Sequence, residues 1–206
     1  MVDAAAPMDL VKLDSICVYC GSSNAADPAF LTAARRFGAL LAAADLRLVY
    51  GGGGVGLMGA CARGAHEAGG RVLGIMPEFL RKREVLLDEI DTVVVQSMHE
   101  RKMMMFEEAD AFAVFPGGIG TLEEVIELLS WRRLELHRKP IVFYDPDGFW
   151  APLFELMRQF VSANLAPEAF LQVWRAVDTI EAILPAMVEL NRDASPPLPN
   201  LMSAVS

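Results

Sequence analysis

Residues 113–129 read AVFPGGIGTLEEVIELL, an apolar run that breaks at Pro116 and passes through three glycines into a segment of helical periodicity. Gly117, Gly118 and Gly120 let a ligand approach the backbone closely. The N–H groups at the helix start, together with the helix dipole, favour an anion there. Thr121 adds a hydroxyl, and the carboxylates Glu123 and Glu124 follow at once. No Gly-Lys-Ser/Thr succeeds the glycines, so this is not a P-loop. A glutamate beside a bound phosphate can act as a general base, or stabilise a developing cation such as an oxocarbenium ion.

A simpler reading is a capping box, because Thr121-x-x-Glu124 fits the S/T-x-x-E pattern. It leaves the three preceding glycines unexplained. Helical geometry adds a second objection: Leu122, Val125, Ile126 and Leu129 form an apolar stripe, which puts Glu124, Glu127 and Trp131 on the opposite face. An acidic face carrying a large aromatic should meet a pocket or a partner chain. Upstream, Arg101 and Lys102 form one basic pair inside the mostly apolar stretch MHERKMMMF. Arg101 could hold a phosphate or orient Glu124, since its planar fork suits either acceptor.

A second glycine loop, residues 51–54, opens another helix. Gly54-x-Gly56-x-x-Gly59 formally matches the dinucleotide fingerprint, with Glu78 as the ribose-binding acid. The match is weak, because the loop follows the second strand and four consecutive glycines make coincidence easy. Anion binding is nevertheless expected of this loop too, so that one ligand is held from two sides.

These motifs need a frame that brings them together. Short apolar runs at 15–20, 46–50, 71–75, 92–95, 111–115, 140–144 and 172–177 read as strands. Helical patterns lie at 28–44, 55–69, 98–109, 120–137, 148–163 and 178–190. Such alternation predicts an α/β fold, a Rossmann-like three-layer sandwich with a central parallel sheet. In that fold ligands bind at the carboxyl ends of the strands, where both glycine loops fall. A single catalytic domain is expected over 15–190, between flexible tails at 1–14 and 191–206.

The net charge of −9 argues against a nucleic-acid partner. No apolar run approaches the ~20 residues of a membrane span, and the N-terminus lacks the pattern of a signal peptide. A cytoplasmic protein is expected. Cys17 and Cys20 form a C-x-x-C, but on a strand residues three apart face opposite sides, and no second Cys/His group completes a metal site. Buried free thiols are expected, with no metal and no cofactor.

The segment PGGIGTLEE resembles the PGGxGTxxE motif of the LONELY GUY (LOG) family, cytokinin riboside 5′-monophosphate phosphoribohydrolases. MHERK at 98–102 is similar to that family's MHxRK segment. CGSS at 20–23, YGGGGVGLMG at 50–59 and HRKPIVFYDPDGFW at 137–150 look like further family blocks in order. The resemblance spans about residues 15–185; NAADPAF after CGSS departs from it by lacking a glycine. It implies hydrolysis of the N-glycosidic bond of adenine-type nucleoside 5′-monophosphates to free base and ribose 5-phosphate. By position it makes Arg101 and Glu124 catalytic. It gives the phosphate to Gly117, Gly118, Gly120 and Thr121, and further substrate contacts to Glu84, Lys102 and Glu123. It also implies a homodimer with sites near the interface.

Two other readings compete. Proteins with this motif often carry the label lysine decarboxylase, which would require a pyridoxal Schiff-base lysine; none of the four lysines has such a context. A non-catalytic nucleotide-binding or molybdenum-cofactor-binding protein would use the same glycine loops but would not need Arg101 paired with Glu124. Whether adenine or an N6-prenylated adenine is preferred depends on packing that the sequence does not display.

Overall fold

The computed structural model describes residues 13–81 and 84–193. Seven strands form one parallel sheet: β1 (Ser15–Tyr19), β2 (Arg47–Tyr50), β3 (Val72–Pro77), β4 (Thr92–Val95), β5 (Ala111–Val114), β6 (Ile141–Tyr144) and β7 (Arg175–Val177). Their order is β4-β3-β2-β1-β5-β6-β7. β1 therefore lies between β2 and β5, with Ile16 beside both Leu48 and Ala111. The direction of winding reverses at β1, which opens a crevice at the carboxyl ends of its neighbours.

Six helices cover the two faces: α1 (Pro28–Ala43), α2 (Gly56–Glu67), α3 (Met98–Glu107), α4 (Ile119–Arg133), α5 (Ala151–Ser162) and α6 (Ile183–Asp193). Ile16, Val18 and Cys20 bury against Phe37 of α1, Leu57 of α2 and Met187 of α6. Cys17 and Tyr19 bury on the other face with Met105 of α3, Val125 of α4 and Phe154 of α5. The expected three-layer architecture is thus present. The period-two alternation of β1 also explains Cys17 and Cys20: they lie in opposite cores, and both are free and buried with Cys61. Burial drives all three thiols above their ordinary range, Cys61 to about 12.

The expected strand at 172–177 is shorter than its apolar pattern, because Glu168–Gln172 winds as a 3-10 turn first. Asp27 caps α1 by accepting from the Ala29 N–H at 2.8 Å, with Pro28 at the first helical position. Residues 1–12 and 194–206, most of the two expected tails, lie outside the described residues, as do Lys82 and Arg83.

Candidate active site

Three loops meet at the crevice. The Gly21 N–H, just after β1, donates to the Pro116 carbonyl after β5 at 3.1 Å, and the Leu57 N–H of α2 donates back to the Gly21 carbonyl at 2.9 Å. The loop after β5 leads straight into α4, which starts at Ile119 with Gly118 as its cap residue. The capping box, the simpler reading of Thr121-x-x-Glu124, does not form. Thr121 stands inside the first turn, beyond the position from which a side chain caps, and Gly118 has no side chain to do so. The first N–H groups of α4 are left without intrahelical acceptors. A side-chain cap does form one helix earlier, where Ser97 Oγ accepts from the Glu100 N–H and Glu100 Oε2 reaches back one residue past the cap to accept from the Gln96 N–H.

This mouth of α4 is built to stay open. A side chain at Gly118 or Gly120 would meet nothing within 4 Å, so both leave room for a ligand. At Gly117 a Cβ would collide with the Thr121 side chain, which lies folded over that glycine and is 5% exposed. Gly117, Gly118, Gly120 and Thr121 therefore lie together around one open concavity at the start of α4.

The first glycine loop is tied to its neighbours at three donors: Gly54 N–H reaches the Val85 carbonyl at 2.6 Å, Gly56 N–H reaches Asn24 Oδ1 at 2.8 Å, and Leu57 N–H reaches Gly21. Glu78 lies in an exposed 3-10 turn, paired with Arg81 at 3.1 Å. The loop also receives Arg101. A Cβ on Gly51 would overlap that guanidinium, and Arg101 Nη2 donates to the Gly51 carbonyl at 2.8 Å.

Arg101 is 5% exposed, an unusual place for a guanidinium unless it is held by partners. Besides Gly51 it has Glu84 Oε2 at 3.8 Å from Nη2, and Met98 Sδ at 3.9 Å from Nη1. Arg101 Nε and Glu84 Oε2 are both buried without a hydrogen-bond partner among the described residues. Buried polar atoms are ordinarily satisfied, so two orphans side by side suit a polar ligand.

Glu124 follows Thr121 by three residues and so lies above it on the same side of α4. Although part of its surface is open, it is packed closely enough that desolvation lifts its pKa from 4.5 to about 7. Arg101 opposes the shift, while Glu123 and Glu84 reinforce it. Arg101 is thus the strongest charge acting on Glu124, yet it forms no ion pair with it; its fork is turned to Gly51 and Glu84.

Lys102 and Glu123 turn toward each other at 2.6 Å, and Glu127 joins at 2.9 Å. Burial pulls the Lys102 pKa down, but its bonds to Glu123 and Glu127 outweigh this and leave it raised. Glu127 was not singled out as a site residue; its place one helical turn beyond Glu123 is the signal that could have found it. The face of α4 bearing Glu124, Glu127 and Trp131 meets α3 of the same chain, where Trp131 packs edge-on against Phe106 at 5.1 Å. The buried stripe also differs from expectation. It runs through Thr121, Val125, Leu128 and Leu129, while Ile126 is 41% exposed.

Residues 58–187 match the model of the family described as "Possible lysine decarboxylase". The cytokinin riboside 5′-monophosphate phosphoribohydrolase LOG7 of Arabidopsis thaliana is 43% identical over 151 residues, covering 73% of this chain and 70% of that protein. The chain belongs to the LOG family. A second LOG-family relative, the cytokinin riboside 5′-monophosphate phosphoribohydrolase LOG of Oryza sativa subsp. japonica, is 41% identical over 154 residues, covering 74% of this chain and 64% of that protein. The LOG fold is shared with the molybdenum cofactor binding protein of Rippkaea orientalis. That structure aligns with a TM-score of 0.60 and 27% identity over 89% of this chain and 98% of its own.

Proposed function

We propose that this LOG-family protein hydrolyses the N-glycosidic bond of adenine-type, including N6-substituted, nucleoside 5′-monophosphates, releasing free base and ribose 5-phosphate. The observation that carries the reading is Glu124, a carboxyl raised to about 7, one turn from the free donors that open α4. The 5′-phosphate binds at Gly117, Gly118, Gly120 and Thr121, and ribose and base lie toward Glu124, Arg101 and Glu84. The C1′–N9 bond breaks with its electron pair leaving on the base, which takes up a proton. Water adds its oxygen to C1′ and releases a proton. Glu124 in its ionised form stabilises the positive charge at C1′ and accepts the proton from water. Arg101, fixed by Gly51, presents its unpartnered Nε–H to the substrate, and Glu84 Oε2 accepts from a substrate hydroxyl or amino group. Lys102 and Glu123 hold the adjoining wall of the site.

Incubation with AMP, isopentenyladenosine 5′-monophosphate and adenosine, followed by chromatography for free base and ribose 5-phosphate, tests the reading. Both monophosphates should be cleaved. Binding of AMP without turnover would instead favour a non-catalytic binding protein, the role named for the Rippkaea orientalis neighbour. Such a protein has no use for a carboxyl poised near neutrality.

The same reading includes a homodimer. Ile119, at the first position of α4, is 82% exposed, and Phe79 and Val85 are 59% and 63% exposed on the segments around Glu84. Large apolar side chains beside a site mark a surface for a second copy. It also includes a cytoplasmic location, which three buried free thiols suit. No described helix is long and apolar enough to cross a membrane. The formal charge of −9 disfavours nucleic acid as a partner.

A further inference from the structure

A half-open cavity of about 370 Å³ lies between the end of α4, the start of β7 and the turn before it. Arg132, Arg133, Arg138 and Arg175 line it, with Glu135 as the one carboxylate and Phe170 in the apolar wall. We propose that this cavity is a second anion site, which binds a small phosphate-bearing molecule remote from the glycosidic centre.

Arg175 is the first residue of β7 and Arg138 precedes β6, so the cavity sits at the amino edge of the sheet. The phosphate cradle lies at the carboxyl edge. Arg132 is eleven residues beyond Thr121 on the same helix, about 16 Å away at ~1.5 Å per residue. The two sites do not overlap.

Arginines at a helix C-terminus can simply complement its dipole. That accounts for Arg132 and Arg133, which are in the last turn of α4. It leaves unexplained why Arg138 and Arg175 come from two other segments to the same space. It also does not explain Arg132 Nε, which is buried without a hydrogen-bond partner among the described residues. Arg132, Arg133 and Arg175 make no ion pair among the described residues. Burial and the neighbouring Arg138 both press the Arg132 guanidinium below its ordinary pKa, and Glu135 only partly offsets them. Counting those three arginines against Glu135 leaves a local excess of two positive charges in an otherwise acidic chain. Guanidinium forks match phosphate oxygens in pairs, so a phosphate group with two or more charges fits best. The apolar side at Phe170 accommodates a carbon skeleton attached to it.

The test is calorimetric titration of pyrophosphate into the full-length protein at about 0.15 M ionic strength. The cradle is first closed with Gly120→Asp, which adds a carboxylate where a side chain meets nothing. That variant should still bind pyrophosphate at one site per chain. Adding Arg133→Gln and Arg175→Gln, both exposed positions, should weaken this binding tenfold or more with no loss of melting temperature. Equal affinity with and without those two arginines overturns the site, as does the absence of saturable binding to Gly120→Asp. Succinate binding more tightly than pyrophosphate overturns the phosphate assignment. None of these outcomes depends on whether the protein cleaves nucleotides, which is scored separately from AMP turnover by the wild type.

Discussion

Glu84 Oε2 stands 3.8 Å from Arg101 Nη2, and each residue keeps one buried polar atom unpartnered. They form an ion pair across this gap but no hydrogen bond. At this separation Arg101 remains divided between Gly51 and Glu84, and Nε is left for a third party. Arg101→Lys keeps the charge but loses the fork. It should retain only a small part of the activity, and Arg101→Ala less. Wild-type kcat/KM in the lysine variant would show that local positive charge is all the site needs.

Glu124→Gln should separate activity from stability. In the unfolded chain the carboxyl titrates at its ordinary 4.5, and in the folded chain at about 7. Its pKa is raised on folding, so its contribution is most favourable below 4.5 and is lost as pH rises through 7. Above that the ionised group costs on the order of 3 kcal/mol. The variant should therefore melt no lower than wild type at pH 8, and higher if the full cost is relieved. Turnover should meanwhile fall by roughly 10²–10⁴. A lower melting temperature with unchanged turnover would remove Glu124 from the chemistry.

The wild-type pH profile follows from the same group. If Glu124 acts ionised, kcat/KM for AMP should climb as pH rises through about 7 and then level off. A profile that falls through this range would make Glu124 the proton donor to the base instead.

The 5′-phosphate should be required. Two or three hydrogen bonds from the start of α4 and Thr121 to a charged group contribute roughly 3–6 kcal/mol together, after allowing for non-additivity. Adenosine should then trail AMP by about 10²–10⁴ in kcat/KM. Thr121→Ala should narrow that gap by weakening the monophosphate much more than the riboside. Equal cleavage of the two by wild type would end the cradle assignment.

His137 makes an acid-side prediction. It is buried with one ring nitrogen 3.0 Å from the Leu128 carbonyl, and desolvation lowers its pKa from 6.5 to about 4. Stability from its neutral form is fully present above 6.5 and is lost as pH falls through 4, by on the order of 3 kcal/mol. His137→Leu should be less stable at pH 7, because Leu128 loses its donor, but should flatten the stability slope between pH 4 and 6.5. Parallel slopes for variant and wild type would show that His137 takes up its proton without cost.

Much of the frame was legible in the sequence because strand and helix periods are local. β4 falls at 92–95 as its TVVV run indicates, and α1 starts where Asp27-Pro28 places it. The open start of α4 was legible for the same reason, since its shape from Gly117 to Thr121 is set by their own backbone. What was not legible depended on distant residues. Which donors around Gly54 are engaged turns on Val85, Asn24 and Gly21, which no local pattern links to that loop. Ile126 fits an apolar stripe at helical spacing as well as Leu128 does. Only the packing of α4 on the sheet beside α3 selects Leu128, which is 1% exposed. The Lys102 bridge to Glu127 likewise joins two helices and has no signature within either one.

The hydrogen bond from Gly21 to Pro116 has a consequence for how the protein is made. Its two ends are 95 positions apart in the chain, and β1 pairs with β5 over a similar span. Contacts that close such long loops form slowly, because the entropy of the intervening chain is lost before they give any return. A nascent chain can assemble β1 to β4 as soon as they emerge, but it has no cradle until β5 docks beside β1. Exchange of the Gly21 amide, followed during refolding, should therefore become protected in step with the gain of nucleotide binding and after the amides shared by β2 and β3. Protection of Gly21 before β5 is ordered would contradict that sequence of events.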